Sequence, residues 1–457
     1  MMDTMTAARA VDGRLLGGNV HFTRVATDSR ALDPGDLFVA LSGERFDGHA
    51  FVADAFAQGA AAALVASARI EGLSGPLVAV ADPLAALGRL AAYWRRQFAL
   101  PLALVVGSNG KTTVKEMLAS ILREHFTDAA VLATQGNYNN AIGLPLTLLL
   151  LRAPHRAAVI ELGINHRGET RELAAVSRPT LVLINNAQRE HQEFLRGVAE
   201  VAAEHADAIL ELAPGGIAVI NADDAHANVW REAARSVRAP TTSFGFKASA
   251  DVTARFTLRP DGSDVELATM LGQARVALAV PGRHTISNAL AATAAALAMG
   301  ASLATVSAGL ERFRAVAGRL VARHSPSGAL VFDDTYNANP DSVRAAVDVL
   351  AAVPGKRWLV LGDMGEVGDE GRAFHREIGA YAQVAGIDAL FGLGEFAFDA
   401  VDSFGTGARH FATAEELTDQ LLPLLQPGVT VLVKGSRFMR MERVAAKLSG
   451  DANERAH

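Results

Sequence analysis

The feature that most constrains this chain is a figure repeated along it. A short, almost uninterrupted apolar run is followed by a glycine or small polar residue, and then by a longer stretch with helical spacing. Ala103–Gly107 leads into Lys111–Leu122, and Ala157–Glu161 leads to Gly163; Thr180–Asn185, Gly216–Asn221, Trp358–Gly362, Ala389–Leu393 and Thr430–Lys434 repeat the pattern. A strand that is apolar on both faces has to be covered on both, as in a parallel sheet between two layers of helices. The expected fold class is therefore α/β. In such sheets a ligand sits beyond the carboxyl ends of the strands, where the Gly, Asn, Asp and Glu residues of these runs fall.

At 457 residues the chain is too long for one core, and ~150 residues per domain argues for three. Breaks lie near Asp82-Pro83 and near Ala315–Arg319, where a helical stretch gives way to Leu320–His324 and a fresh strand, Ala329–Phe332. We expect a small N-terminal α/β domain over 1–84 and a central P-loop-type mononucleotide-binding domain with a parallel sheet over 85–316. A C-terminal Rossmann-like, doubly wound domain is expected over 317–457. Val252–Val280, with Pro260-Asp261-Gly262 between alternating runs, reads as a β-hairpin insertion.

Composition removes several function classes. Lys+Arg 43 against Asp+Glu 49 gives −6, so neither a nucleic acid nor a membrane surface is an expected partner. The absence of cysteine excludes disulfides, thiolate metal sites and a cysteine nucleophile, and fits a cytoplasmic protein. Phe98–Gly107, Leu144–Leu151 and Ala289–Met299 are the longest apolar stretches, and all fall short of the ~18 residues of a spanning helix. The start, Met1-Met2-Asp3-Thr4-Met5, lacks the basic and apolar regions of a signal peptide. Membrane insertion is not expected.

The sharpest local signal is Gly107-Ser108-Asn109-Gly110-Lys111-Thr112-Thr113, set between an apolar strand and a helix. Glycines let backbone N–H groups close around phosphate oxygens, and the helix N-terminus adds partial positive charge. Lys111 can reach the β/γ-phosphates and the Thr112 hydroxyl can ligate magnesium. The strict motif wants Gly at position 105, which is Val. Glu161, ending the next strand, is either a solvated strand-end residue or a carboxylate meeting a cation, and magnesium on the phosphates would be that cation. His191, after Thr180–Asn185, reads as a surface histidine or a ligand.

Two polar clusters follow strands. In Asp333–Pro340, Asn339 is an N-cap with Pro340 at the first helical position, ahead of a helix over Ser342–Val353. Asp333, Asp334 and Asn337 are left over by that reading, and a ligand would account for them. Thr134–Gly143, with four amides among Asn137, Asn139, Asn140 and Gln135, is either a polar turn or a platform for a polar substrate.

Together these residues resemble the Mur ligase family over nearly the whole chain. Thr27-Asp28-Ser29-Arg30, Pro34–Gly43 and Asp47-Gly48-His49 are similar to its uridine-nucleotide domain, and Gly107–Thr113, Glu161 and His191 to its ATP loop and magnesium ligands. Pro281–His284 with Asn288, and Gly318-Arg319, resemble its adenine- and phosphate-contacting positions. Thr134–Gly143, Tyr336–Pro340, Leu361–Met364 and Lys434–Arg437 point within the family to addition of D-alanyl-D-alanine to a UDP-muramyl tripeptide. No Asp-Asn-Pro-Arg motif occurs in the C-terminal third, which counts against the diaminopimelate- or lysine-adding relative.

The resemblance implies ATP and magnesium as cofactors, small-molecule substrates, a cytoplasmic monomer and an acyl-phosphate intermediate. It implies catalytic roles for Lys111, Glu161, His191 and Arg319, and magnesium on Thr112, Glu161 and His191. ATP contacts would be Gly107 to Thr113, Asn288 near the base, Arg319, and Asp334 on the ribose. Ser29, Arg30, Thr134, Asn137 and Asn140 would meet the UDP-muramyl peptide; Asn337, Asn339, Lys434 and Arg437 would meet the dipeptide. Two departures stand out. Val106 replaces a Thr before the loop, and His205 falls where the family commonly has a carbamylated lysine, so independence from bicarbonate is expected. One straight helix over 191–205 would separate its end residues by ~21 Å, so a reversal near Gly197 is needed to bring both to one site. Glu200 and Glu204, four apart, are expected on a solvated edge. Two other readings remain open: a folylpolyglutamate synthase-like ligase, and a P-loop regulator or scaffold that binds nucleotide without synthesis.

Overall fold

The computed structural model describes residues 1–43, 46–164, 166–190, 193, 195 and 197–451. Three large sheets succeed one another along the chain. The first has five strands in the order Arg14–Leu16, Leu77–Val80, Ala62–Ala66, Asp36–Val39, Arg24–Ala26; only its first pair is antiparallel. Helix Pro83–Arg95 then leads to the second sheet. Asp82 accepts from the Leu84 and Ala85 N–H groups and Pro83 supplies the preset φ of a first helical residue, which is why the helix starts there.

The second sheet has nine strands: Val131–Ala133, Ala157–Glu161, Leu102–Val106, Leu181–Ile184, Ile217–Asn221, Thr241–Phe244, Val252–Arg259, Gly262–Thr269, Gly272–Leu278. The first seven run parallel and the last three form antiparallel pairs. Alternation along Leu102–Val106 explains its sandwiching. Ala103 and Val105 pack with helices Lys111–His125 and Arg283–Ala298, whereas Leu102, Leu104 and Val106 pack with Pro83–Arg95, Gly143–Leu148 and Val198–Leu210. All five are fully buried, and each full burial of a large apolar side chain contributes roughly 1.5–3 kcal/mol. A one-residue slip would exchange the two layers. The expected hairpin insertion is instead a three-stranded meander that continues this sheet. Strand Val252–Arg259 pairs parallel with Thr241–Phe244 through Val252, and the Pro260-Asp261 turn sends the chain back antiparallel.

The third sheet is Val321–His324, Leu330–Asp334, Val429–Lys434, Lys356–Gly362, Ala389–Leu393, Ala408–Phe411, parallel except for its first pair. Helix Pro340–Ala351 lies against the second sheet's end, where a Cβ on Gly282 would come 2.8 Å from Val349 Cγ2. The apolar cluster runs unbroken from Val114 and Leu290 through Phe313 and Leu320 to Val343 and Leu361. Among the described residues no helix is long and apolar enough to cross a membrane.

Candidate active site

In the second sheet, Leu102–Val106 comes first along the chain, and two later strands pair with it, Ala157–Glu161 on one side and Leu181–Ile184 on the other, so the strand order reverses at it. That is the switch point where a crevice opens at the carboxyl ends. The carboxyl end of the third sheet faces the same crevice. The result is a cavity of about 1170 Å³ lined from both sides, by Ser108–Thr113, Glu161 and Glu190 on one and by Arg319, Asp334, Asn337, Asn339 and Lys434 on the other.

The phosphate-type loop is built on glycine geometry and on amides from a neighbouring segment. Gly107 and Gly110 have φ of +139° and +79°, and helix Lys111–His125 starts at Gly110 with no side-chain cap. Its first N–H groups are left to a ligand. Asn185 Nδ2 and Asn186 Nδ2 donate to Asn109 O at 2.7 and 3.0 Å, and Asn109 N donates to Asn186 Oδ1 at 2.8 Å. Asn185 Nδ2 also donates to Asn288 Oδ1 at 2.9 Å, which puts Asn288 against Gly110. Lys111 Nζ donates to the Gly107 and Ser108 carbonyls and lies 3.4 Å from Glu190 Oε2. It folds back over the loop.

Thr112 Oγ1 accepts a hydrogen bond from Arg319 Nη2 at 2.9 Å, across the crevice. Arg319 stacks on Tyr336 at 4.2 Å, and its Nε is buried with no acceptor among the described residues. Glu161 is 2% exposed; Oε1 accepts from Asn139 Nδ2 at 2.7 Å, and Oε2 meets no donor among the described residues. A buried, half-satisfied carboxylate and the Thr112 hydroxyl, lining one cavity, are hard-oxygen donors of the kind magnesium takes. His191 lies outside the described residues.

On the opposite side, Lys434 Nζ donates to Asp334 Oδ2 at 2.6 Å and to Asn337 O at 2.9 Å, while Asp334 Oδ1 accepts from Leu320 N. Both Asp334 oxygens are therefore engaged by protein groups. Asn339 caps helix Pro340–Ala351 in a reciprocal capping box with Ser342. Its amide also pairs with that of Asn109, Asn339 Nδ2 donating to Asn109 Oδ1 at 2.9 Å. Asp333 is buried by a turn instead of facing the cavity: it accepts from Thr335 Oγ1 at 2.6 Å, and burial raises its pKa above the ordinary carboxylate value.

Several expected residues lie elsewhere. Thr134 is 1% exposed and off the cavity wall, its hydroxyl accepting from Glu161 N and its carbonyl from the fully buried Lys115. It is a brace behind Glu161. Asn137 and Asn140 do border the cavity, although Asn140 Oδ1 is taken by the N–H groups of Ile142 and Gly143. Ser29 and Arg30 sit in a short 3₁₀ turn off this cavity, where Arg30 pairs with Asp28 and holds that carboxyl at a pKa of about 2. Arg437 is exposed near Glu442, also away from the cavity. Glu204 corrects the solvated-edge expectation: it is 7% exposed and accepts from Gly168 N and Thr170 N. The required break before Val198–Leu210 is present, with Gly197 at φ +95° as its N-cap.

Sequence reasoning passed over the segment 185–190. Besides the amides already described, Arg189 makes paired hydrogen bonds to Asp341 and to Glu377, with shortest contacts of 2.7 Å each. These partners, Glu377 first, hold Arg189 charged more firmly than an ordinary arginine, and Arg189 in turn lowers the Glu377 pKa. The segment directly follows strand Leu181–Ile184, so its position at a carboxyl strand end was the available signal.

The chain is similar to known proteins over nearly its whole length. Residues 21–95 match the Mur ligase family catalytic domain, 105–296 the Mur ligase middle domain, and 318–437 the Mur ligase glutamate ligase domain. The UDP-N-acetylmuramoyl-tripeptide–D-alanyl-D-alanine ligase of Escherichia coli K12 is 41% identical over 441 residues, 96% of each chain. MurF from Acinetobacter baumannii superposes with a TM-score of 0.92 at 36% identity, covering 98% of this chain and 99% of that one. MurF ligase from Thermotoga maritima, solved with ADP, gives 0.83 at 26% identity over 94% and 97%. Fold and sequence similarity thus run together over nearly the whole length, and the chain belongs to the Mur ligase family.

Proposed function

We propose that the chain is an ATP-dependent ligase joining D-alanyl-D-alanine to UDP-N-acetylmuramoyl-tripeptide, giving the UDP-muramyl pentapeptide precursor of peptidoglycan. The observation that carries this reading is the direct bridge from Arg319 to Thr112. It sets the second cation of a phosphoryl-transfer site onto the phosphate loop, in a chain 41% identical to a ligase of that name.

A carboxylate is a poor acyl donor because its leaving group would be oxide. Attack of the peptide carboxylate on the γ-phosphorus of ATP forms an acyl phosphate and releases ADP. The dipeptide amine then attacks the acyl carbon, the C–O bond to phosphate breaks, and the amine gives up a proton. The first step joins two anions, so orientation and charge neutralisation dominate it. Lys111 holds the β/γ-phosphates by giving up its two loop carbonyls. Arg319 offers a guanidinium from the opposite wall. Magnesium, bound through Thr112, Glu161 and His191, would neutralise phosphate charge.

We assign Asn288 to the base and Asp334, on exchange of its Lys434 partner, to the ribose; Asn137 and Asn140 to the muramyl peptide; Asn337, Asn339 and Lys434 to the dipeptide. We assign nucleotide-sugar binding to residues 1–84 through Ser29 and Arg30, ATP to 85–316 and the dipeptide to 317–457, with Arg437 and Thr134 supporting from outside the cavity. A cytoplasmic monomer is sufficient, since both walls come from one chain. The test is phosphate release with ATP, UDP-muramyl tripeptide and D-alanyl-D-alanine, omitting each in turn. Release that needs all three supports the reading. Release with dihydrofolate and glutamate, or ATP binding without dipeptide-dependent release, refutes it.

A further inference from the structure

Next to the phosphate loop, buried carboxylates outnumber lysines. Two buried carboxylates border the cavity on that wall, Glu161 and Glu190, at 2% and 6% exposure. One lysine, Lys111, stands between them and the loop. A nucleotide bringing several negative charges would meet both carboxylates beside the loop. Glu190 is the sharper problem, because its Oε2 is 3.4 Å from the ammonium that the phosphates need.

Its other oxygen faces a second unusual group. His205, on helix Val198–Leu210, is completely buried, and neither ring nitrogen is hydrogen-bonded among the described residues. Its Nε2 lies 3.4 Å from Glu190 Oε1, just beyond a good hydrogen bond. The carboxylate thus sits between the Lys111 ammonium on one side and the buried His205 imidazole on the other. The two residues before it are anchored as well, Gln188 N on Ser108 Oγ and Arg189 on Asp341 and Glu377. Glu190 is positioned by the loop and by the third sheet's unit together.

We propose that Glu190 is an exchange carboxylate: it pairs with Lys111 while the nucleotide is absent, and releases Lys111 to the phosphates by turning to the divalent cation that accompanies them. His205 is its positioning residue, closing the short gap to Oε1 so that the carboxylate stays at the cavity. This rests on the ATP-ligase reading. It explains how a wall with more buried carboxylates than lysines takes a polyanion, and why an imidazole at position 205 needs no carbamate beside it. Magnesium accepts few protein ligands and keeps several waters, so one added carboxylate, direct or through water, is within its habit.

The assignment makes the sign of an effect depend on the metal. ADP binding is measured by calorimetry for the unmodified chain and for Glu190→Gln, each with magnesium and with the metal chelated. Without metal, E190Q is expected to bind ADP several-fold more tightly, because the competing carboxylate has gone and Lys111 is free. With magnesium it is expected to bind about tenfold more weakly, a loss typical of removing one supporting group from a metal site. His205→Ala should shrink the magnesium effect in the same direction and leave metal-free binding near that of the unmodified chain. A merely structural Glu190 would weaken both conditions alike. That result, or no change in either, overturns the assignment. Where E190Q melts below the assay temperature, Glu190→Ala carries the same expectation without a buried amide. If the unmodified chain binds ADP in neither condition, the nucleotide site itself falls and this assignment with it; ADP binding without the crossover overturns the assignment alone.

Discussion

Helices Lys111–His125 and Pro340–Ala351 both follow a parallel strand, both start at the crevice, and their N-termini face each other across it. Their starts are opposite in chemistry. The first begins at a left-handed glycine and leaves its N–H groups uncapped. The second is sealed by Asn339, Ser342 and a proline that has no N–H to offer. An open helix start can bind an anion through backbone, whereas a sealed one can contribute only side chains. The cleft thus has one wall that grips by main chain and one that reaches by Arg319, Asn337 and Lys434. Asn109 and Asn339, amide to amide, are one place where the two meet.

The largest expected effect removes the cation of the open wall. Lys111→Ala should abolish dipeptide-dependent phosphate release with little change in melting temperature, since an ammonium over loop carbonyls adds little to the core. Parallel loss of melting temperature and activity would make Lys111 structural. Next, Arg319→Ala should lower turnover by ~10³-fold or more, in the range of arginine fingers. Its effect on ADP affinity should be much smaller, and calorimetry showing the reverse split would assign Arg319 to ground-state binding.

Gly110→Ala attacks the open start itself. The new Cβ would fall 2.4 Å from Asn288 Oδ1 at a φ of +79°, so ADP affinity should drop sharply and stability by ~1–3 kcal/mol. Asn339→Ala is its counterpart on the sealed start and should cost ~1 kcal/mol of stability with almost no effect on ADP affinity. Denaturant unfolding paired with ADP titration compares the two; equal losses of affinity would erase the distinction between the walls.

The smallest effect concerns acid. The Glu377 carboxyl titrates below its ordinary value of 4.5, because Arg189 and then Arg344 stabilise its charged form. That stabilisation is complete above the ordinary value and is lost as pH falls through the lowered one. Melting temperature followed down from pH 6 should therefore fall less steeply in Glu377→Gln below about pH 4.5. Identical acid limbs would remove the pairing from the stability account.

Much of this was legible because it is local. Strand runs, the glycine loop and the Asn339-Pro340 helix start all declare themselves within a few residues. Glu204 and Thr134 misled because both are polar and next to plausible partners in sequence, yet each satisfies backbone N–H groups in the interior. Arg189 was invisible for the opposite reason: its carboxylate partners lie 152 and 188 positions further on, and no periodicity marks a loop. Contacts between units depend on how two folded sheets meet, which short-range pattern does not encode.

The apolar cluster that passes unbroken from the second sheet into the third has a thermal consequence. If the cleft opens, part of that cluster, including the seat of Val349 on Gly282, meets water. Exposing apolar surface raises heat capacity, so the balance between open and shut is curved in temperature, and its apolar contribution weakens on cooling. Turnover in the cold would then fall faster than the chemical barrier alone dictates, and an Eyring plot of the rate would bend at low temperature while the fold itself remained intact.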